Sequence, residues 1–121
     1  MKKKVNILGT EYRVTMKKYS DDPEFGERSI SGYCDGELKE IVLCDMATWP
    51  GWDKENVRRR DALHKQVLRH EIVHAFLCES GLDDSSLAYS GGWARNEEMV
   101  DWFASQGSKI YKAWRDMKCE L

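Results

Sequence analysis

The first half of the chain carries short apolar runs of the kind that form strands. In "KVNILGTEYRVTMKKY" two strand-like runs flank Gly9-Thr10-Glu11, which predicts a hairpin. "SDDPEFGE" is polar and holds Pro23 and Gly26, so a loop is expected there. Ile30 to Cys34 and Glu40 to Cys44 predict a second strand pair turning through Asp35-Gly36-Glu37, and "MATWPGWDKENV" is a connector. The second half changes period. From about Lys54 to Glu79 leucine, valine and isoleucine recur at helical spacing, and Gly81 follows as a stop. "LDDSSLAYSGGW" is a loop. Asn96 is a good N-cap with Glu97 and Glu98 behind it, and a second helix runs to about Lys118, with a kink or break considered at Gly107. Strands followed by two long helices give an α+β class, with a small antiparallel sheet and helices on one face.

The chain has 121 residues, which fits one domain over 1–121 with room for a core. A net charge of −2 argues against a dedicated nucleic-acid binder, and Arg58, Arg59 and Arg60 are expected to be a solvated turn. The lysines at the start precede an apolar run from Val5 to Leu8 only, so neither a signal peptide nor a membrane span is expected. Cys34, Cys44, Cys78 and Cys119 lack CxxC spacing and are expected to be reduced thiols of a cytoplasmic protein; a Cys34–Cys44 bridge is the alternative.

The first long helix contains "VLRHEIVHAFL", an apolar stretch interrupted by His70, Glu71 and His74. His70-Glu71-Ile72-Val73-His74 is an HExxH pattern. On a helix the two histidines are one turn apart on one face, so their ring nitrogens can converge on one ion, while Glu71 can act on a metal-activated water. Coordination also compensates for burying such groups. The plainer reading is a chance meeting of two histidines and a glutamate. The apolar flanks and a third ligand in the next helix argue for a site. In "RNEEMVDWFA" Glu97 and Asp101 are four apart. Glu97 is the third-ligand candidate and Asp101 the group that orients a ligand histidine. Glu98 points about 100° away on an ideal helix; the plainer role for both glutamates is helix N-terminal charge. His64 falls on another face and is expected at the surface, with Leu63 and Val67 packing under the site. Trp49 and Trp52 are expected to cap the sheet end. Trp93, Trp102 and Trp114 are expected to pack the helices together.

These residues resemble those of the gluzincin zinc metallopeptidases, which pair HExxH on one helix with ExxxD on the next. In miniature form the likeness is to the ImmA/IrrE-type and SprT-like metallopeptidases, including small ones carried by phages and prophages. Glu97, Asp101 and Phe103-Ala104 occupy the positions of the second-helix signature, with Asp101 where the ImmA/IrrE type often has asparagine. The match spans about Val67 to Ala104. It implies a minimal zincin-like fold, zinc held by His70, His74 and Glu97, and Glu71 as general base. It also implies an antiparallel edge strand, Glu40 to Cys44, along which a peptide or protein substrate lies. No histidine follows Glu97 to stabilise an oxyanion; Tyr89, Tyr33 and Arg95 are the alternatives. The expected function is a zinc-dependent peptidase. The alternative is a non-catalytic zinc-stabilised regulatory or protein-binding module of a mobile element, which Cys78 as a fourth ligand would support.

Overall fold

The computed structural model describes residues 2–86 and 92–121. Strands β1 (Lys2–Ile7) and β2 (Thr10–Lys18) form the first hairpin. Its turn falls on Leu8 and Gly9, with φ of 51° and 92°. Positive φ at both turn positions matches the twist of the flanking strands, and glycine takes it freely. Asn6 Oδ1 accepts the Gly9 N–H at 2.8 Å.

Strands β3 (Gly32–Asp35) and β4 (Glu40–Asp45) form the second hairpin. The spatial order is β1-β2-β4-β3, and β2 runs parallel to β4, with Val14 opposite Ile41 and Met16 opposite Leu43. The sheet is therefore mixed, not antiparallel. The segment after β2 hands the chain to β3 at the same end of the sheet. β3 then returns on the outside, and β4 fills the space between. This also corrects the role expected of Glu40 to Cys44. That strand is interior, and the edges among the described residues are β1 and β3. Its sequence, EIVLCD, is almost continuously apolar because both faces are covered. Ile41 and Leu43 join Ile7, Tyr12 and Val14 on one face, whereas Val42 and Cys44 join Phe25 and Met46 on the other.

The second face is covered partly by a helix where a loop was expected. Helix α1 (Pro23–Glu27) starts from Asp22, whose side chain accepts the Glu24 N–H at 3.1 Å, and Pro23 has a fixed φ suited to the first helical position. Phe25 is fully buried, and Tyr33 Oη donates to Asp22 at 2.6 Å.

Helix α2 (Val57–Glu79) covers the first face. Asn56 caps it by accepting the Arg59 N–H at 3.0 Å, and Gly81 follows with φ of 85°. A Cβ at Gly32 would lie 2.7 Å from Val67, so glycine there lets α2 close on β3. Val67 packs in that first core, while Leu63 belongs to the second. His64 is not a surface residue. It is half-buried, and its Nε2 accepts the Met46 N–H at 3.1 Å, tying the start of α2 to the end of β4.

Helices α3 (Leu82–Ser86) and α4 (Glu97–Asp116) follow. α4 is unbroken at Gly107. It docks on α2 through Val100, Leu77 and Ala94, with Val73 and Met99 alongside. The interhelical contact is thus aliphatic. Trp93, Trp102 and Trp114 are exposed, the last on the part of α4 beyond its contact with α2, whereas Trp49 and Trp52 pack in the second core near the sheet end. All four cysteines are free thiols. Among the described residues no helix is long and apolar enough to cross a membrane.

Candidate metal centre

Helical periodicity places His70 and His74 on one edge of α2, with Nε2 atoms 3.1 Å apart. The cap at Asn96, which accepts the Met99 N–H at 2.8 Å, starts α4 beside them. Burial of Val100 then fixes the rotation of α4, so that Glu97 and Asp101 share the edge facing α2. The Glu97 carboxylate spans the two rings, 3.0 Å from His70 Nε2 and 2.8 Å from His74 Nε2. Asp101 Oδ1 lies 2.6 Å from His70 Nδ1. A carboxylate can only accept, so Asp101 favours a proton on Nδ1, the tautomer that leaves Nε2 to offer its lone pair to a cation. Glu97 rather than Glu98 meets the histidines.

Two ring nitrogens 3.1 Å apart, each 2.8 to 3.0 Å from its own oxygen of the Glu97 carboxylate, suit a shared cation. Tetrahedral zinc with bonds of about 2.0–2.2 Å sets its ligand atoms roughly 3.3 Å apart, so His70, His74 and Glu97 need only slight expansion to hold it. Ligand atoms of His70, Glu71 and His74 all lie within 4.8 Å of one another. Glu71 Oε1 is 3.9 Å from His70 Nε2, close enough to reach into the site without joining the triangle.

The electrostatics differ across the site. Glu71 is buried, and burial pushes its carboxyl up to about 7, with nearby His70 opposing the rise and Glu97 adding to it. Burial also holds His74 below the ordinary histidine range, against the pull of the Glu97 charge. The Glu97 and Asp101 side chains are 65% and 66% exposed. Beside His70, on its Asp101 side, lies a cavity of about 200 Å³ lined by Gln66, Arg69, Ala104 and Ser105. These lining residues carry no signal in the sequence, since ordinary polar and small residues on helix flanks read as surface.

The other sequence-derived candidates lie elsewhere. Tyr33 is committed to Asp22 and its ring joins the second core. Arg95 makes a bidentate pair with Asp83 at 2.9 and 2.8 Å. Tyr89 lies outside the described residues. Cys78 lies against Gly36, where an added Cβ would strike its sulfur, so it faces the β3–β4 turn.

No family model, curated protein or solved structure matches the chain.

Proposed function

We propose that the protein is a small zinc-dependent peptidase of gluzincin type, similar to the ImmA/IrrE-like and SprT-like enzymes and to small phage or prophage metallopeptidases, acting in the cytoplasm on a peptide or protein substrate. The observation that carries this reading is the convergence of His70, His74 and Glu97, with Asp101 behind His70. Zinc held there supplies Lewis acidity toward water and a peptide carbonyl. The chain's own contribution is proton handling and orientation. Asp101 holds the His70 ring in one tautomer. Glu71, buried and with its carboxyl raised toward neutrality, takes a proton at Oε1 and returns it to the leaving amine. Burial keeps bulk water from that carboxylate.

A second reading is supported by a specific observation. Among the described residues neither Tyr33 nor Arg95 is available to stabilise an oxyanion. That suits a non-catalytic zinc-stabilised regulatory or protein-binding module. Against it stand the orientation of Cys78 away from the histidines and the presence of Glu71, which a purely structural site does not need.

One set of measurements separates the readings. The purified protein should carry close to one zinc per chain, and His70→Ala or Glu97→Ala should lose most of it. Glu71→Gln should fold and retain zinc, yet hydrolyse a susceptible peptide about a hundred- to ten-thousand-fold more slowly. Equal hydrolysis by the glutamine variant removes Glu71 as base. A parent that cleaves nothing across unfolded proteins and a broad peptide library favours the non-catalytic module.

A further inference from the structure

The outward side of α2 carries a basic groove that the candidate metal centre does not use. Arg58, Ala62, Lys65 and Arg69 follow one another at spacings of four, three and four, which keeps them on one helix face. With Asp61 they line a hollow of about 450 Å³. Ala62 forms its floor, since its methyl leaves the space that the longer side chains wall. Arg69 also lines the cavity of about 200 Å³ beside His70, so the two hollows adjoin.

The cations of this groove are uncommitted. Arg58, Lys65 and Arg69 are exposed, and among the described residues their side chains have no ion pair or hydrogen bond. The acid of the lining, Asp61, lies 4.0 Å from Arg60, which stands outside it. Elsewhere in the fold basic side chains are matched: Lys17 with Asp22, Lys39 with Glu79, Arg95 with Asp83, Lys112 with Asp116. Arg58 stands in the first turn of α2, where the helix dipole disfavours a cation, so its placement does not serve the stability of the helix. A local excess of positive charge in a chain of net charge −2 calls for an anionic partner.

Length and the surrounding acids select which anion. From Arg58 to Arg69 the groove runs roughly 17 Å along the helix axis, the span of about five residues of extended chain. Acids bound it at both ends. Asp53 and Glu55 precede α2, and Asp101 lines the adjoining cavity, with Glu97 and Glu98 beyond it. A nucleic-acid strand laid in the groove continues into one of these acidic ends, whereas a short run of carboxylates stops between them.

We propose that the basic groove of α2 docks a short acidic segment of a partner protein, its carboxylates pairing with Arg58, Lys65 and Arg69. The guanidinium groups take a carboxylate in bidentate fashion, and Lys65 between them adds a point charge. Docking here needs neither zinc nor hydrolysis, so it stands apart from the peptidase reading.

Fluorescence anisotropy on the full chain tests this with a labelled peptide of five consecutive glutamates and its five-glutamine counterpart. The glutamate peptide should bind in low salt with a dissociation constant on the order of 100 µM, weakening as salt is raised. The glutamine peptide should bind about tenfold more weakly or worse. Lys65→Gln combined with Arg69→Gln alters exposed side chains only and should keep the fold, read by circular dichroism, while weakening the glutamate peptide about fivefold to tenfold. Lys109→Gln combined with Lys112→Gln removes the same net charge from α4 and should leave binding within about twofold of the parent. A thymidine oligonucleotide of similar length should bind no more tightly than the glutamate peptide. Equal binding of the two peptides, binding unmoved by the Lys65 and Arg69 changes, an equal loss from the α4 changes, or tighter binding of the oligonucleotide would each overturn the proposal.

Discussion

The candidate site has two halves built by different means. His70, Glu71 and His74 stand on a helix pressed against the sheet, where Ala75, Leu68 and Ile72 sink into the same core as Ile41 and Leu43. Their positions follow from the bulk of the fold. Glu97 and Asp101 stand on α4, whose attachment near them rests on Val100, Met99 and the neighbouring Ala94. Their carboxylates remain mostly exposed, whereas Glu71 is buried. The sheet-backed half is therefore preorganised by global folding, and the α4 half is governed by one local docking contact. Stability and metal affinity should accordingly respond to different residues.

Core truncations offer the largest separation. Ile41→Ala removes a fully buried side chain between α2 and the sheet and should cost about 4 kcal/mol of folding free energy. Val100→Ala should cost about 2 kcal/mol, since fewer buried atoms are lost. The order should invert for zinc. Val100→Ala frees the rotation of α4 and should weaken binding more than Ile41→Ala does, measured by competition with a chelator under conditions where both variants are folded. Urea melts of the metal-free proteins supply the stability side. If zinc affinity simply tracks global stability, the two halves are one unit.

How far the sequence revealed this division depends on which forces are local. The helix carrying His70 and His74, the cap at Asn96, the stop at Gly81 and the pairing of Glu97 with Asp101 all follow from short-range periodicity and end chemistry. α1 is legible in part: Asp22 before Pro23 offers a cap and a first helical position, whereas Gly26 and the polar residues around it favour a loop. The parallel register of β2 and β4 was not legible. Alternation along a strand has the same period whichever way its neighbour runs, and the choice was made by where residues 19–31 return the chain. The tryptophans misled for a related reason. Aromatic content measures appetite for burial, but whether Trp102 and Trp114 find a partner depends on the angle at which α4 leaves α2. Helical face alone sends His64 to the surface, whereas its hydrogen bond to Met46 joins residues 18 positions apart, which no local pattern shows.

The two helix caps sharpen the comparison at smaller magnitude. Asn56 and Asn96 make the same bond, at 3.0 and 2.8 Å, at the starts of α2 and α4. Replacing either with alanine should cost about 1 kcal/mol of stability. Only Asn96→Ala loosens the turn that carries Glu97. It alone should reduce zinc affinity, by up to about fivefold if the cost falls wholly on the docked helix. Equal affinity losses from the two caps would mean that α4 near the site is held no more locally than α2.

The finest test is pH, and it addresses the sheet-backed half. Burial holds His64 below the ordinary histidine range, and its Nε2 must stay unprotonated to accept the Met46 N–H. The unfolded chain therefore takes up this proton at higher pH than the native chain does. The stability contributed by neutral His64 is present above the unfolded pKa of about 6.5 and is lost as pH falls from there toward the depressed native value. His64→Gln keeps an acceptor and removes the titration. Its stability should fall less steeply than that of the parent between about pH 7 and pH 5, measured by urea midpoints of metal-free protein. His74, also held low by burial, titrates in both proteins and cancels in the difference. Because His64 anchors α2 to β4 rather than to α4, zinc affinity of His64→Gln at neutral pH should match the parent. A variant with the parent's pH slope would show that the Met46 contact does not depend on the charge state of this ring.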